Sequence, residues 1–101
     1  MFITPATHAI LAEAAGEGLL QIFAEAGAIV TAPGCGPCAA GRIGPLAPGE
    51  VSINTGTRND PGRLGPADGQ IYLASAATVA CAAVAGEIVD PRELMEAAVA
   101  A

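Results

Sequence analysis

The chain has 101 residues, enough for one modest hydrophobic core, and carries ten acids against four arginines, no lysine and a net charge of −6. An acidic chain with a pI near 4.4 and three aromatic residues has no cationic, aromatic-bearing surface for a phosphate backbone, which excludes nucleic-acid binding as its role. The N-terminus shows no cationic leader ahead of an apolar run, and no apolar stretch reaches bilayer length, so a cytoplasmic chain is expected, whose three cysteines favour metal or redox chemistry over a disulfide framework.

Phe2-Ile3-Thr4 is short and β-prone, Pro5 ends it, and Thr7 is placed to cap a helix starting near His8. Glu13, Glu17, Gln21 and Glu25 recur every four residues as one polar stripe. Leu19, Ile22, Phe23 and Ala26 keep the spacing of a buried face. Gly16 and Gly18 interrupt the pattern, each at a cost of about 1 kcal/mol against alanine, so two helices are expected rather than one, the second closed by Gly27. His8 is the only histidine, and no second one exists to share a metal with it. It reads as a surface residue of a first helical turn.

Ala28-Ile29-Val30-Thr31 reads as a strand that runs straight into Pro33-Gly34-Cys35-Gly36-Pro37-Cys38. Thiols at the carboxyl end of a strand lie where open α/β sheets place their ligands. Residues 39 to 49 form a Gly- and Pro-rich loop with Arg42 as its only charge, and Glu50 to Thr55 alternates as a strand should. A polar loop follows with Arg58 and Arg63, so that three of the four arginines fall between positions 42 and 63. Forked cations concentrated on an acidic chain point to carboxylate or phosphate binding. Strands near 28–31 and 50–55 are expected to deliver the cysteine loop and the arginine loop to one sheet edge. Gln70 to Leu73 is a further strand. Ser75 then caps a small, apolar helix from Ala76 to Ala85, closed by Gly86 and expected to be buried all round. Asp90-Pro91-Arg92-Glu93 starts a terminal helix with Leu94, Ala97, Ala98 and Ala101 on one side.

The Cys-x-x-Cys pair admits three chemistries: a redox dithiol, half a zinc site, or part of an iron–sulfur ligand set. A redox pair opens a long helix that lowers a thiol pKa, yet Gly41, Gly44, Pro45 and Pro48 follow within ten residues of Cys38 and prevent one. A structural zinc needs four ligands, and the chain offers Cys35, Cys38, Cys81 and His8, with Cys81 inside the alanine-rich helix, where a small thiol packs as a hydrophobe. Two thiolates remain, for a site completed elsewhere.

Several ordered motifs carry a resemblance. They are Thr4-Pro5-Ala6-Thr7, the run from Gly18 to Gly27, Pro33 to Cys38, Leu46-Ala47-Pro48-Gly49-Glu50, Arg58-Asn59-x-x-Gly62-Arg63, Ile71-Tyr72-Leu73-Ala74-Ser75, and Ala85-Gly86 with Asp90-Pro91-Arg92. Over nearly its whole length the chain resembles the C-terminal part of the aconitase superfamily, on the large-subunit branch of 3-isopropylmalate dehydratase and homoaconitase. The resemblance implies a small α/β unit of short, mostly parallel strands with packed helices, in which residues 1–101 form a single aconitase-like C-terminal segment. It implies a 4Fe-4S cluster held by three cysteines, of which Cys35 and Cys38 are two, with Arg58 and Arg63 binding the substrate, a hydroxy di- or tricarboxylic acid. It also implies partners: a large-subunit segment with the third cluster cysteine, and a small swivelling-domain subunit. The family's Cys-Thr-Asn motif, its His- and Asp-bearing segments and its catalytic serine are not among these residues, so the chain by itself is expected to be inactive. Where the family reads Asn-Arg-Asn-Phe, this chain has Thr57-Arg58-Asn59-Asp60. The loss of an amide and the added charge both bear on carboxylate recognition. A non-catalytic module that keeps the fold and uses its cysteines to bind metal or to oligomerise is the alternative.

Overall fold

The computed structural model describes residues 1–36, 38 and 44–94; Arg42 and the expected helix-face positions Ala97, Ala98 and Ala101 lie outside them. These residues form two compact units, one of residues 1–36 with Gly44, the other of Cys38 with residues 45–94.

In the first unit, β1 (Phe2–Ile3) is followed by α1 (His8–Gly16), α2 (Leu19–Glu25) and β2 (Ile29–Val30), with β1 and β2 paired in parallel. Thr7 caps α1 as its sequence requires, its hydroxyl accepting from the Ile10 N–H at 3.2 Å. Gly18 stands at φ +77°, a left-handed conformation that costs a side-chain-bearing residue energy, and there the helical run divides in two. The second helix closes as expected at Gly27, whose N–H reaches the Ala24 carbonyl at 3.1 Å while that of Ala28 reaches Phe23 at 2.9 Å. This paired pattern satisfies the last carbonyls of α2. One expectation fails here: Leu19 and Phe23 are half-buried, but Ile22 is 57% exposed and Ala26 is exposed. Seven helical residues beside a two-stranded ribbon do not supply enough partner surface to cover a complete apolar face.

The second unit contains β3 (Val51–Asn54), β4 (Gln70–Leu73) and α3 (Ala76–Ala85), and residues 91–94 are helical. β3 and β4 pair in parallel with Val51 opposite Gln70 and Asn54 opposite Leu73. Their 15-residue connection, 55–69, holds the arginine loop. α3 has the expected ends: the Ser75 hydroxyl accepts from the Thr78 N–H at 3.2 Å, and the Gly86 N–H reaches the Ala82 carbonyl at 2.8 Å. Its burial differs from expectation. Ala82 is the one buried residue of α3, and Val84 is 81% exposed. The helix is apolar all round, but β3 covers one side of it.

Both sheets are two-stranded and parallel, so the mixed α/β class with short parallel strands is what forms. β2 and β3 belong to different sheets, however, so a shared sheet edge does not join their loops. Among the described residues the deeply buried apolar side chains are Leu64 and Ala82, both in the second unit. No helix among them is long and apolar enough to cross a membrane.

Candidate functional site

Cys35 is exposed, and the chain around it is held against the end of β1. The Gly34 N–H donates to the Pro5 carbonyl at 3.0 Å, and the Thr4 and Thr31 hydroxyls lie 2.6 Å apart, tying the strand ends together beneath the loop. Gly36 is buried at φ +64°, and a β-carbon there would come within 2.8 Å of the Thr4 hydroxyl oxygen. Backbone conformation and space both demand glycine next to the first cysteine. Cys38 is half-buried. Neither cysteine titrates as a thiol, each being disulfide-bonded, so binding a metal there requires reduction to the thiolate first. The expectation is of metal or redox duty rather than a disulfide, and in this structure both cysteines are disulfide-bonded.

The arginine loop begins at the end of β3, where the Asn54 side-chain oxygen accepts from the Gly56 N–H at 2.7 Å and its amide donates to the Ser52 hydroxyl at 3.1 Å. This side-chain turn takes the chain out of the strand. The loop is fixed again at Leu64, which is 3% exposed and whose carbonyl accepts from the Leu46 N–H at 2.9 Å. Beside that anchor, half-buried Arg63 donates from Nε to the carbonyl oxygen of Cys38 at 2.7 Å. Its two terminal nitrogens have no acceptor among the described residues. A guanidinium clamped at Nε and open at Nη1 and Nη2 presents the fork that binds a carboxylate in two-point fashion.

Arg58 is placed differently. Its Nε and Nη2 both donate to the Asp60 Oδ2, at 3.0 and 2.7 Å, in an exposed ion pair. The residue that departs from the family pattern is thus the one that takes up the first arginine. Sequence reasoning marked Asp60 as a charge near the site but missed the pairing, and it did not single out Leu64. The signals were there: an Arg two residues before an Asp, and a lone aliphatic residue in a Gly-rich loop.

His8 is exposed at the start of α1, and Cys81 is a free, half-buried thiol in α3 with Sγ 3.9 Å from the Pro91 carbonyl oxygen. Among the described residues no three His, Cys, Asp or Glu side chains gather as a metal-binding group. The soft donors of this loop are the sulfurs of Cys35 and Cys38, the type of donor a thiolate metal centre uses once they are reduced.

A family model, that of the aconitase family (aconitate hydratase), matches residues 1–86. The chain is 48% identical over 94 residues to 3-isopropylmalate dehydratase large subunit 1 of Archaeoglobus fulgidus, a match covering 93% of the chain and 22% of that relative. It is 50% identical over 94 residues to the 3-isopropylmalate dehydratase large subunit of a Sulfurovum species, covering 93% of the chain and 22% of the relative. To the homoaconitase large subunit of Thermus thermophilus it is 48% identical over 96 residues, covering 95% and 23%. The chain therefore spans less than a quarter of the length of these relatives.

Proposed function

The chain belongs to the aconitase family, and from that premise we propose that it is the C-terminal segment of an iron–sulfur-dependent hydro-lyase acting in the cytoplasm on a hydroxy di- or tricarboxylic acid. Residues 1–101 act as one such segment. In this reading Cys35 and Cys38 are two of three ligands to a 4Fe-4S cluster, and Arg58 and Arg63 bind substrate carboxylates. The third cysteine and the proton-transfer groups come from the remaining large-subunit segment, and the catalytic serine from a small swivelling-domain subunit. The cluster, when bound, supplies an iron with an open coordination position, a Lewis acid toward the leaving hydroxyl.

The observation that carries the reading is the hydrogen bond from Arg63 Nε to the carbonyl oxygen of Cys38. In this reading the bond ties a substrate-binding arginine to the backbone of a cluster ligand, which supports a carboxylate site beside Cys38. Clamped in this way, the fork loses little conformational freedom on binding a carboxylate. Arg58 offers a second cation on a looser, exposed tether, available once a substrate carboxylate displaces Asp60.

The test is anaerobic, reducing co-expression with the rest of a large subunit and the small subunit, followed by iron and sulfide analysis and a hydration assay. A cluster that requires both Cys35 and Cys38, together with hydration activity that requires Arg63, supports the proposal. Retention of full iron content in Cys35→Ser and Cys38→Ser would overturn it.

A further inference from the structure

The approach to Cys35 rests on two threonines. β1 and β2 pair Phe2 with Ile29 and Ile3 with Val30, and the same register sets Thr4 opposite Thr31, each one residue beyond its strand. Their half-buried hydroxyls lie 2.6 Å apart, and the Thr31 hydroxyl donates to the Ala32 carbonyl at 3.2 Å. A hydroxyl has one proton to give, so with that of Thr31 on Ala32 the Thr4 hydroxyl is the donor to Thr31. The bonds run one way, from the end of β1 through Thr31 into the stem of the cysteine loop. The Thr31 N–H also reaches the Ile3 carbonyl at 2.9 Å, and the Gly34 N–H reaches the carbonyl of buried Pro5 at 3.0 Å. Past Cys35 the chain returns to the same threonine: a β-carbon at Gly36 would stand 2.8 Å from Thr4 Oγ1 and 3.1 Å from Thr4 Cβ. Thr4 thus bears on the backbone on both sides of Cys35, through Thr31 and Ala32 before it and at Gly36 after it.

We propose that the hydroxyl pair of Thr4 and Thr31 is a positioning device for Cys35: in the reduced chain it fixes the backbone around the first thiolate, and through it the assembly's hold on iron. The proposal rests on the family reading for the role of Cys35 as a ligand, while the positioning is a property of the chain itself. A ligand whose backbone is already in place loses less conformational freedom when it coordinates. A threonine pair that served the ribbon alone would act elsewhere. Cross-strand pairs stabilise the ladder they span, and that ladder is reported by the N–H groups of Ile29 and Thr31, which donate to the Met1 and Ile3 carbonyls at 2.9 Å each. The Gly34 N–H, on the Pro5 carbonyl, reports instead on the loop.

The experiment measures amide hydrogen exchange on the reduced 101-residue chain for wild type, Thr4→Val, Thr31→Val and Thr4→Ser. Valine keeps the β-branched shape without the hydroxyl, and serine keeps the hydroxyl. In both valine variants the Gly34 amide should exchange about fivefold faster, the change that loss of one hydrogen bond of ordinary strength gives, and in Thr4→Ser at the wild-type rate. The Ile29 and Thr31 amides should keep their wild-type rates throughout. In the reconstituted assembly with the remaining large-subunit segment and the small subunit, iron should dissociate faster from both valine variants than from wild type or Thr4→Ser, and the g values of the cluster's electron paramagnetic resonance signal should shift with loss of the hydroxyl. A Gly34 rate unchanged by valine, or ladder amides that speed up by the same factor as Gly34, overturns the proposal. So does loss of the wild-type circular dichroism in the valine variants, which would make the pair a determinant of the fold rather than of the loop. Wild-type iron loss and g values in the valine variants overturn the link to the metal. Full iron content in Cys35→Ser would overturn the family reading instead, and the Gly34 amide would still decide whether the threonines position the loop.

Discussion

Asp60 engages Arg58, one of the two arginines that the proposed reading gives to a substrate carboxylate. Its carboxylate accepts two hydrogen bonds from Arg58, in a pair whose side chains are both more than half exposed. Exposed pairs of this kind are worth about 0.2–1 kcal/mol. Replacing Asp60 with Phe and Thr57 with Asn should therefore lower the KM for a dicarboxylate in the assembled enzyme by about 1.5-fold to 5-fold, since tenfold corresponds to about 1.4 kcal/mol. An unchanged KM in the double variant would place both residues away from the substrate. The cysteines divide more sharply. After reduction and anaerobic reconstitution of the assembly, Cys35→Ser or Cys38→Ser should abolish iron uptake, while Cys81→Ala, which alters a free thiol in α3, should leave iron per chain unchanged. Loss of iron in the Cys81 variant would reassign the ligand set.

At the scale of elements, the ends of the helices carry the strongest sequence signals and the clearest predictions. Ser75→Ala removes the hydroxyl that accepts from the Thr78 N–H at the start of α3 and should cost about 1 kcal/mol of stability in a denaturant titration. Asp90 accepts from the Arg92 N–H at 2.9 Å and from its guanidinium, and these bonds lower its pKa from the ordinary 3.8 to about 2. A carboxylate with a depressed folded-state pKa contributes its stabilisation in full above the unfolded value and loses it as pH falls through the folded one. The helical turn at 91–94 should accordingly loosen between about pH 4 and pH 2, a change that Asp90→Asn removes and that amide chemical shifts would register. These ends were legible in the sequence because capping is local chemistry: Thr7, Ser75, Gly18, Gly27 and Gly86 each act through bonds to residues a few positions away. Burial was not legible. Ile22 and Val84 keep the pattern of buried residues yet stand 57% and 81% exposed, since burial depends on which surface lies opposite, and periodicity cannot supply that surface. The pairing of the strands into two sheets was hidden for the same reason, whereas Gly44, Pro45 and Pro48 were enough to mark residues 44–49 as a loop.

For the whole molecule, the chain matches 22% of the length of one large-subunit relative and 23% of another. On the proposed reading this segment brings two sulfur ligands and two arginines but not the rest of the chemistry. Dehydration needs a base at the carbon that loses its proton. His8, the one histidine in the chain, is exposed at the first position of α1, where nothing in the fold directs it toward a substrate. A cluster that depends on three thiolates also cannot be held in its ordinary ligation by Cys35 and Cys38 alone. The purified 101-residue monomer, reduced and reconstituted anaerobically, should therefore bind iron substoichiometrically, lose it on exposure to air, and hydrate neither cis-aconitate nor an alkyl maleate above the buffer rate. Adding the complementary large-subunit segment and the small subunit should restore a stable iron content and turnover together, because the third ligand, the base and the serine arrive with them. An iron-dependent hydration rate from the monomer alone would mean that these 101 residues hold a complete site, and the proposal that they supply only part of one would be wrong.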